Sequence, residues 1–240
     1  MNGARKKGKK VAILQSNYIP WKGYFDLINS VDEFIIYDDV QYTKGDWRNR
    51  NIIKTAQGPS WLTIPVRHVS AVQPIRDTKV ADKNWARKHW ASLLHNYSRA
   101  ECFAAQRTFF EHLYLSMDEE FLSDVNYRFI SAVNEQLGIV TRIRWSSEFD
   151  LVEGRTERLV SLCRQAGATE YVSGPAAQSY FDVELARQNS IEVRWMDYSG
   201  YPEYTQMYPP FEHQVTILDL LFNMGPSARQ YMNSFQAPAC

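Results

Sequence analysis

Polar and aromatic side chains gather after two short apolar runs near the start of the chain. The runs, residues 11–14 and 34–37, have the length and composition of buried strands. A buried strand explains an apolar run, but it does not explain the polar residues that follow. These residues are Gln15, Asn17, Tyr18, Asp38, Asp39, Gln41, Tyr42, Arg48 and Arg50. Because ligands of open α/β sheets bind at the carboxyl ends of strands, the pattern predicts a substrate site there.

Two adjacent carboxylates, Asp38 and Asp39, follow the second apolar run directly. Such a pair can hold a divalent cation and a diphosphate, as Asp-x-Asp does in many glycosyltransferases, and Asp38 is the candidate catalytic carboxylate. The alternative is that one aspartate bonds loop amides while the other is solvated. Successive side chains of a strand point to opposite faces, so we expect only one of the two to face a given pocket.

Arg48 and Arg50 lie two residues apart in Trp47-Arg-Asn-Arg50. In an extended segment both side chains would point to one face, where their guanidinium groups match the oxygens of a phosphate or carboxylate. The alternative is an internal salt bridge to Asp38 or Asp39 that organises the loop without contacting a ligand. Both interpretations are open, and each arginine could serve one of them.

Two histidines are candidate general bases. His89 lies four residues after Trp85, on the same face of a predicted helix, and could take a proton from an attacking amine or hydroxyl. A helical histidine among aromatics is also typical of a packed, hydrogen-bonded residue. His213 precedes the last predicted helix and follows Glu212, but neighbouring side chains need not face each other, so a dyad is not established.

The segment Trp21-Lys22-Gly23-Tyr24 follows the first predicted strand and opens a predicted helix. This arrangement distantly resembles the HIGH-type nucleotidyltransferases, including pantothenate synthetase, which carry His-x-Gly-His at the junction. Gly23 matches the glycine of that motif, so an anion can approach the helix N-terminus. A tight turn explains a glycine at this position equally well. Trp21 and Tyr24 stand at the histidine positions and cannot stabilise a triphosphate as histidine does. We therefore expect an anion or sugar-nucleotide pocket rather than adenylyl transfer.

Several segments together resemble the WbqC-like family, which occurs in bacterial polysaccharide and O-antigen gene sets. The resemblance rests on residues 11–50 and on Trp85-Ala-Arg-Lys-His-Trp90, Glu170-Tyr-Val-Ser-Gly-Pro175 and Ile217-Leu-Asp-Leu-Leu-Phe-Asn223. It implies a cytoplasmic enzyme of surface-sugar or related small-molecule assembly, and supplies no catalytic residues. Ser173 follows a short predicted strand and is a candidate ligand-facing residue rather than a nucleophile.

Composition excludes several classes of protein. The formal net charge of the 240 residues is +0, which argues against a general binder of nucleic acid or of anionic membranes. Three widely spaced cysteines, Cys102, Cys163 and Cys240, suggest neither a zinc site nor a disulfide framework. No apolar run is long enough for a membrane span or a secretory signal, so a cytoplasmic protein without bound metal or tightly held cofactor is expected. The basic run within residues 1–10 predicts a flexible tail.

The order of predicted elements indicates a fold. Strand and helix patterns alternate from residue 11, are interrupted by a mostly helical stretch at about 83–137, and then resume. This order predicts a Rossmann-like α/β fold with a mainly parallel sheet and an inserted helical subdomain, all within a single domain at 11–240.

Three functions are compatible with these features. The first is a transferase that moves an acyl or aminoacyl group from an activated donor, such as a thioester on a carrier protein, to the amine of a nucleotide-linked amino sugar. The second is a Mg²⁺-dependent nucleotidyl- or glycosyltransferase that uses Asp38 and Asp39. The third is a sugar-nucleotide-binding protein without catalysis.

Overall fold

A computed structural model describes residues 8–236 and divides the chain into two compact units. Among the described residues, the first unit contains 8–14, Leu27–Tyr37 and Thr141–Ser199. The second contains Gln15–Asp26, Asp38–Val140 and 200–236. Each unit is therefore built from three separate segments of sequence.

Strands and helices follow one another in mixed order along the described chain. In sequence they are β1 (Lys10–Leu14), α1 (Lys22–Asn29), β2 (Glu33–Ile36), β3 (Arg50–Thr55), β4 (Gly58–Thr63), β5 (Val66–Arg67), β6 (Lys79–Val80), α2 (Trp85–Tyr97), α3 (Phe103–Leu115), α4 (Leu122–Leu137), β7 (Arg142–Trp145), α5 (Arg155–Gln165), β8 (Glu170–Ser173), α6 (Val183–Gln188), β9 (Glu192–Trp195) and α7 (Ile217–Met224). No helix among the described residues is long and apolar enough to cross a membrane.

The first unit contains a five-stranded sheet in which every pairing is parallel. Its strand order is β7-β2-β1-β8-β9, so the chain builds outward from β1 on one side and then on the other. Counted along the chain, this is the 3-2-1-4-5 order of a Rossmann-type sheet. The predicted Rossmann-like, mainly parallel α/β fold is therefore confirmed.

The central strands are apolar because both faces of a parallel sheet are covered. Ala12 of β1 pairs in register with Phe34 of β2 and Val172 of β8, and all three are fully buried. Leu162 of α5 belongs to the core of this unit, as does Cys163. Burial raises the pKa of the Cys163 thiol to about 12, so it remains protonated, as expected for an inert core cysteine.

Of the basic segment at residues 1–10, the structure describes residues 8–10. Lys10 begins β1, and the Lys9 ammonium group lies 3.1 Å from the buried carboxylate of Glu33. Lys9 also donates to the carbonyl of Ala166 at 2.7 Å. Residues 1–7 of the predicted tail lie outside the described residues, as does Cys240.

The second unit combines helices with an antiparallel hairpin. Helices α2, α3 and α4 lie within the range predicted to be helical, and β3 and β4 form the hairpin. Gly138 ends α4 with φ of 61°, a left-handed conformation that glycine adopts without steric cost. Helix α7 is almost wholly buried, with Phe222 at 4.9 Å from the ring of Phe103.

Replacing Ile35 by alanine should destabilise the first unit strongly. Ile35 is fully buried in the sheet core, and such truncations typically cost about 2–5 kcal/mol because a cavity remains. Urea unfolding should show this loss, whereas Val140→Ala, at a side chain that is 94 % exposed, should change stability by less than about 0.5 kcal/mol. Equal stability of the two variants would contradict the assignment of Ile35 to the core.

Candidate functional site

Asp38 is a buried carboxylate whose two oxygens are both hydrogen-bonded. The backbone N–H and the hydroxyl of Ser16 donate to it at 2.8 and 2.6 Å, and the hydroxyl of Ser123 donates at 2.5 Å. Burial raises the pKa of Asp38, while these three donors and the charge of Arg48 act in the opposite direction. The bonds give Asp38 a role in holding the loop after β1 against α4. Its predicted catalytic role stays a prediction.

The same network fixes the two loops that carry the predicted site residues. Asn126 of α4 donates to the hydroxyl of Ser16 at 3.0 Å and to the carbonyl of Arg48 at 2.9 Å. The Arg48 guanidinium donates to the carbonyl of Ser16 at 3.3 Å and lies 3.5 Å from Asp46. Segments 16–19 and 46–51 are therefore held together by a shared set of buried bonds.

Asp39 forms an ion pair with Arg76. The backbone N–H of Arg76 also donates to the carbonyl of Asp38 at 3.0 Å, so both aspartates hold the segment around Arg76. Within residues 8–236, no group of three or more His, Cys, Asp or Glu side chains is arranged to hold a metal ion. The metal-assisted alternative therefore gains no support from the arrangement of the carboxylates.

His89 is a neutral, packed histidine. Its Nε2 lies 3.2 Å from the carbonyl of Thr63, which can only accept, so Nε2 carries the proton and Nδ1 accepts from the hydroxyl of Tyr18 at 2.9 Å. Tyr18 is in turn 2.9 Å from the hydroxyl of Tyr114. Desolvation lowers the pKa of His89 to about 4, with the charge of Lys88 adding to the effect. Both ring nitrogens are occupied, which favours the packed interpretation over the catalytic one.

His213 and Ser173, the remaining base candidate and the candidate serine, have surroundings unlike those of His89. His213 is exposed and its ring packs on Phe211 at 4.7 Å, while the carboxylate of Glu212 accepts from the backbone of Gln214. Ser173 ends β8 in the first unit, is buried, and accepts a hydrogen bond from the hydroxyl of Tyr171 at 3.2 Å. All other predicted site residues belong to the second unit.

Gln41 and Tyr42 lie on a loop edge of the second unit. Gln41 is exposed and bridges to Pro74, and the buried Tyr42 donates its backbone N–H to the carbonyl of Gln73 at 2.8 Å. Burial raises the pKa of Tyr42. These contacts give both residues a place in the loop structure, and their substrate-binding role stays a prediction.

The glycine in the first turn of α1, Gly23, is needed for a close approach. A Cβ on Gly23 would lie 2.4 Å from the ring of Trp21, so any larger residue would displace that ring. Tyr24 donates its hydroxyl to the carbonyl of Gln15 at 3.0 Å, which closes the turn. The contact with Trp21 therefore explains why a tight turn requires glycine at position 23.

Lys22, within this turn, was not singled out by the sequence analysis. It is only 4 % exposed; its ammonium nitrogen lies 3.3 Å from the carbonyl of Pro202 and 4.6 Å from the ring centroid of Tyr201. The ring of Tyr204 is 5.5 Å away. Desolvation lowers the pKa of Lys22 to about 8, although the charges of Asp26, Asp219 and Glu203 oppose the shift. At mildly alkaline pH a substantial fraction of this amine is unprotonated.

A buried carboxylate, Asp219, fixes one of the rings beside Lys22. It accepts from the hydroxyls of Tyr204 at 2.7 Å and Tyr97 at 2.8 Å, and from the amide of Gln206 at 2.8 Å. Burial raises the pKa of Asp219, and these donors counteract the shift. Lys22, Tyr201, Tyr204 and Asp219 are hereafter called the lysine–tyrosine cluster.

Comparison with known proteins places the chain in a family. The model of the WbqC-like protein family matches residues 15–231. The chain belongs to the WbqC-like family. It is 53 % identical over 225 residues to the uncharacterized protein Rv1507c of Mycobacterium tuberculosis (strain ATCC 25618 / H37Rv), covering 93 % of this chain and 97 % of the relative. No solved structure gives a significant match to it.

The match to the WbqC-like family includes every residue of the two networks. Asp38 with its serine donors and the lysine–tyrosine cluster all lie between residues 15 and 231. The segment Ile217–Asn223, which carries Asp219, is helix α7, and Trp85–Trp90, which carries His89, begins α2. Of these two segments, Ile217–Asn223 contributes Asp219 to the lysine–tyrosine cluster, while His89 bonds Tyr18 outside both networks.

The stability of this WbqC-like protein should fall with acid because of His89. Its pKa is lowered on folding from 6.5 to about 4, so the unfolded chain binds more protons between these values. The contribution is complete above pH 6.5 and declines as the pH falls towards 4, by about 3 kcal/mol in total.

Chemical unfolding at several pH values would measure this dependence. His89→Gln should lose it, while His95→Gln, at an exposed histidine, should retain it. An identical pH dependence in wild type and His89→Gln would show that His89 is not buried as a neutral ring.

Ser123→Ala should destabilise the second unit. It removes a 2.5 Å hydrogen bond to a buried carboxylate, and bonds to charged groups contribute about 1.5–3 kcal/mol. Thermal or urea unfolding would measure the loss. The matched control is Ser92→Ala, whose hydroxyl bonds only the carbonyl of Lys88 on the surface of α2 and should be nearly neutral. A neutral Ser123→Ala would refute the proposed role of Asp38 in joining loop and helix.

Proposed function

We propose that this protein is a transferase of polysaccharide or related small-molecule biosynthesis that acylates or aminoacylates the amine of a nucleotide-linked amino sugar. The family assignment supports the biosynthetic setting, and the lysine–tyrosine cluster supports the chemistry. In this proposal the enzyme works in the cytoplasm with a thioester donor delivered by a carrier protein. The single observation that carries it is the desolvated amine of Lys22.

The proposed reaction needs a group that accepts one proton. The nitrogen of the amino sugar attacks the carbonyl carbon of the thioester, a C–N bond forms, and the C–S bond breaks. The thiolate departs with the electron pair of that bond. The attacking nitrogen must lose a proton, which passes to the Lys22 amine and from there to the thiolate. General-base assistance of this kind requires a pKa near the working pH.

Lys22 meets that requirement better than His89. His89 has both nitrogens occupied, and its pKa near 4 makes it a weak base. Lys22 has a pKa near 8, and no described carboxylate forms an ion pair with it. Its surroundings of aromatic rings and one carbonyl keep it poorly hydrated, which is the cause of its lowered pKa.

Asp219 acts through Tyr204 and is a positioning residue. Its carboxylate accepts from the Tyr204 hydroxyl, which holds the ring beside Lys22. Asp26, four residues after Lys22 on α1, is held by the backbone N–H groups of Asn233 and Ser234 at 3.0 and 2.9 Å. Asp26 and Asp219 are thus occupied by hydrogen bonds, and neither is the proton acceptor in this scheme.

Substitution of Lys22 should abolish transfer without unfolding the protein. Thiol release from thioester donors would be followed with a panel of nucleotide-linked amino sugars. The value of kcat/KM should rise with pH and level off above about 8, since only the unprotonated amine accepts a proton. Lys22→Arg keeps the charge but cannot lose its proton, so it should lower the rate by at least about 100-fold. Lys83→Met, at an exposed lysine, should retain full rate.

Two outcomes would contradict the proposal in different ways. Full activity in Lys22→Arg would eliminate Lys22 as the proton acceptor while leaving the reaction class intact. Pyrophosphate release from a triphosphate, abolished by EDTA and without thiol release, would instead assign the protein to metal-dependent nucleotidyl transfer.

A further inference from the structure

Two tryptophans of the second unit are exposed side by side. Trp47, in the loop before β3, is 38 % exposed, and Trp61, on β4, is 45 % exposed. Their ring centroids are 5.3 Å apart with an angle of 41° between the planes. Large aromatic rings are usually buried in a core, so a solvent-exposed pair requires another explanation.

Arg50 completes this surface. Its guanidinium carbon lies 4.1 Å from the ring centroid of Trp61, and the hairpin register explains why. Ile52 lies directly opposite Trp61, and Arg50, two residues earlier on β3, points to the same face. Trp47, Trp61 and Arg50 are hereafter called the tryptophan–arginine surface.

Arg50 has hydrogen-bonding capacity that the described protein does not use. Its Nε is buried without a hydrogen-bond partner, and no carboxylate of residues 8–236 forms an ion pair with it. Buried polar groups are nearly always paired, so this donor has capacity for an acceptor that the described residues do not supply. Two aspartates of this unit have other arginines beside them. Asp39 forms an ion pair with Arg76, and Asp46 lies near Arg48.

A second orphaned atom and a strained residue lie on the loop bonded to this surface. The Oδ1 atom of Asn17 is buried without a partner. The next residue, Tyr18, donates its backbone N–H to the carbonyl of Trp47 at 3.1 Å. Ile19 has φ of 35°, rare for a β-branched residue, and its carbonyl accepts from Asn51 at 2.8 Å. Strained backbone of this kind clusters at active sites and ligand clamps.

We propose that the tryptophan–arginine surface binds a nucleotide, with the base stacked on the indole rings and a phosphate accepting from Arg50. A base offers a flat π-face to the tryptophans, and a phosphate offers the oxygens that a guanidinium binds. With a net charge of +0 and one arginine at the surface, a mononucleotide fits better than a nucleic acid. The inference deepens the proposed function, on which it rests for the amino sugar attached to that nucleotide.

Titration calorimetry with free nucleotides tests the surface without any donor. Nucleoside mono- and diphosphates of the four common bases would be compared with uridine and with inorganic phosphate. We expect at least one diphosphate to bind with a submillimolar Kd. Trp61→Leu should weaken it at least tenfold, while Trp61→Phe, which keeps a ring and controls for folding, should weaken it less than threefold. Arg50→Gln should weaken the binding of nucleotides tenfold but leave the binding of uridine unchanged.

A matched control is available in the first unit. The guanidinium of Arg155 lies 3.3 Å from the ring centroid of Tyr180, which is 39 % exposed, so Arg155→Gln removes a similar cation–π pair elsewhere. Its nucleotide affinity should equal that of wild type. Absence of binding by every nucleotide, or equal losses in Arg50→Gln and Arg155→Gln, would overturn the inference. Nucleotide binding without acyl transfer would contradict only the proposed function. Acyl transfer with an unchanged KM in Trp61→Leu would contradict only nucleotide binding at this surface.

Discussion

The second unit depends on the requirement that a buried carboxylate be fully hydrogen-bonded. Asp38 satisfies this requirement with the backbone and hydroxyl of Ser16 and the hydroxyl of Ser123, so a loop and a helix distant in sequence must meet at one point. Asn126 extends the contact to the loop before the hairpin. Leaving such a carboxylate unpaired costs roughly several kcal/mol, so the loop after β1 and helix α4 are held in contact.

The same principle separates the polar groups that support the structure from those available for chemistry. Asp38, His89 and Asp219 have acceptors and donors accounted for within the second unit. Lys22 has one carbonyl and two aromatic faces, and Arg50 keeps an orphaned donor. Asp38, His89 and Asp219 fix the geometry of the unit. Lys22 and Arg50 can still bind further groups. The proposed function therefore rests on the second group.

The sequence predicted the fold well, whereas the contacts of the candidate site residues come largely from remote segments. Apolar runs such as residues 11–14 and the stop at Gly138 depend on local pattern, so β1 and the end of α4 fell where expected. Arg76, the ion-pair partner of Asp39, was not predicted because it comes from a remote segment. Lys22 was overlooked for the same reason: its burial is created by Tyr201 and Pro202, near the other end of the chain. Residue type is local, but desolvation is a property of the packed unit.

The ionisation of Lys22 tests the central claim most directly. Selective isotopic labelling of lysine side chains and NMR titration would follow each amine separately, with Lys22→Arg identifying the signal. A pKa near 8 is predicted, well below the 10.5 of an ordinary lysine, because the amine is desolvated among tyrosine rings. A titration at the ordinary value would contradict the account, since a lysine that remains fully charged at neutral and mildly alkaline pH cannot take the proton of an attacking amine.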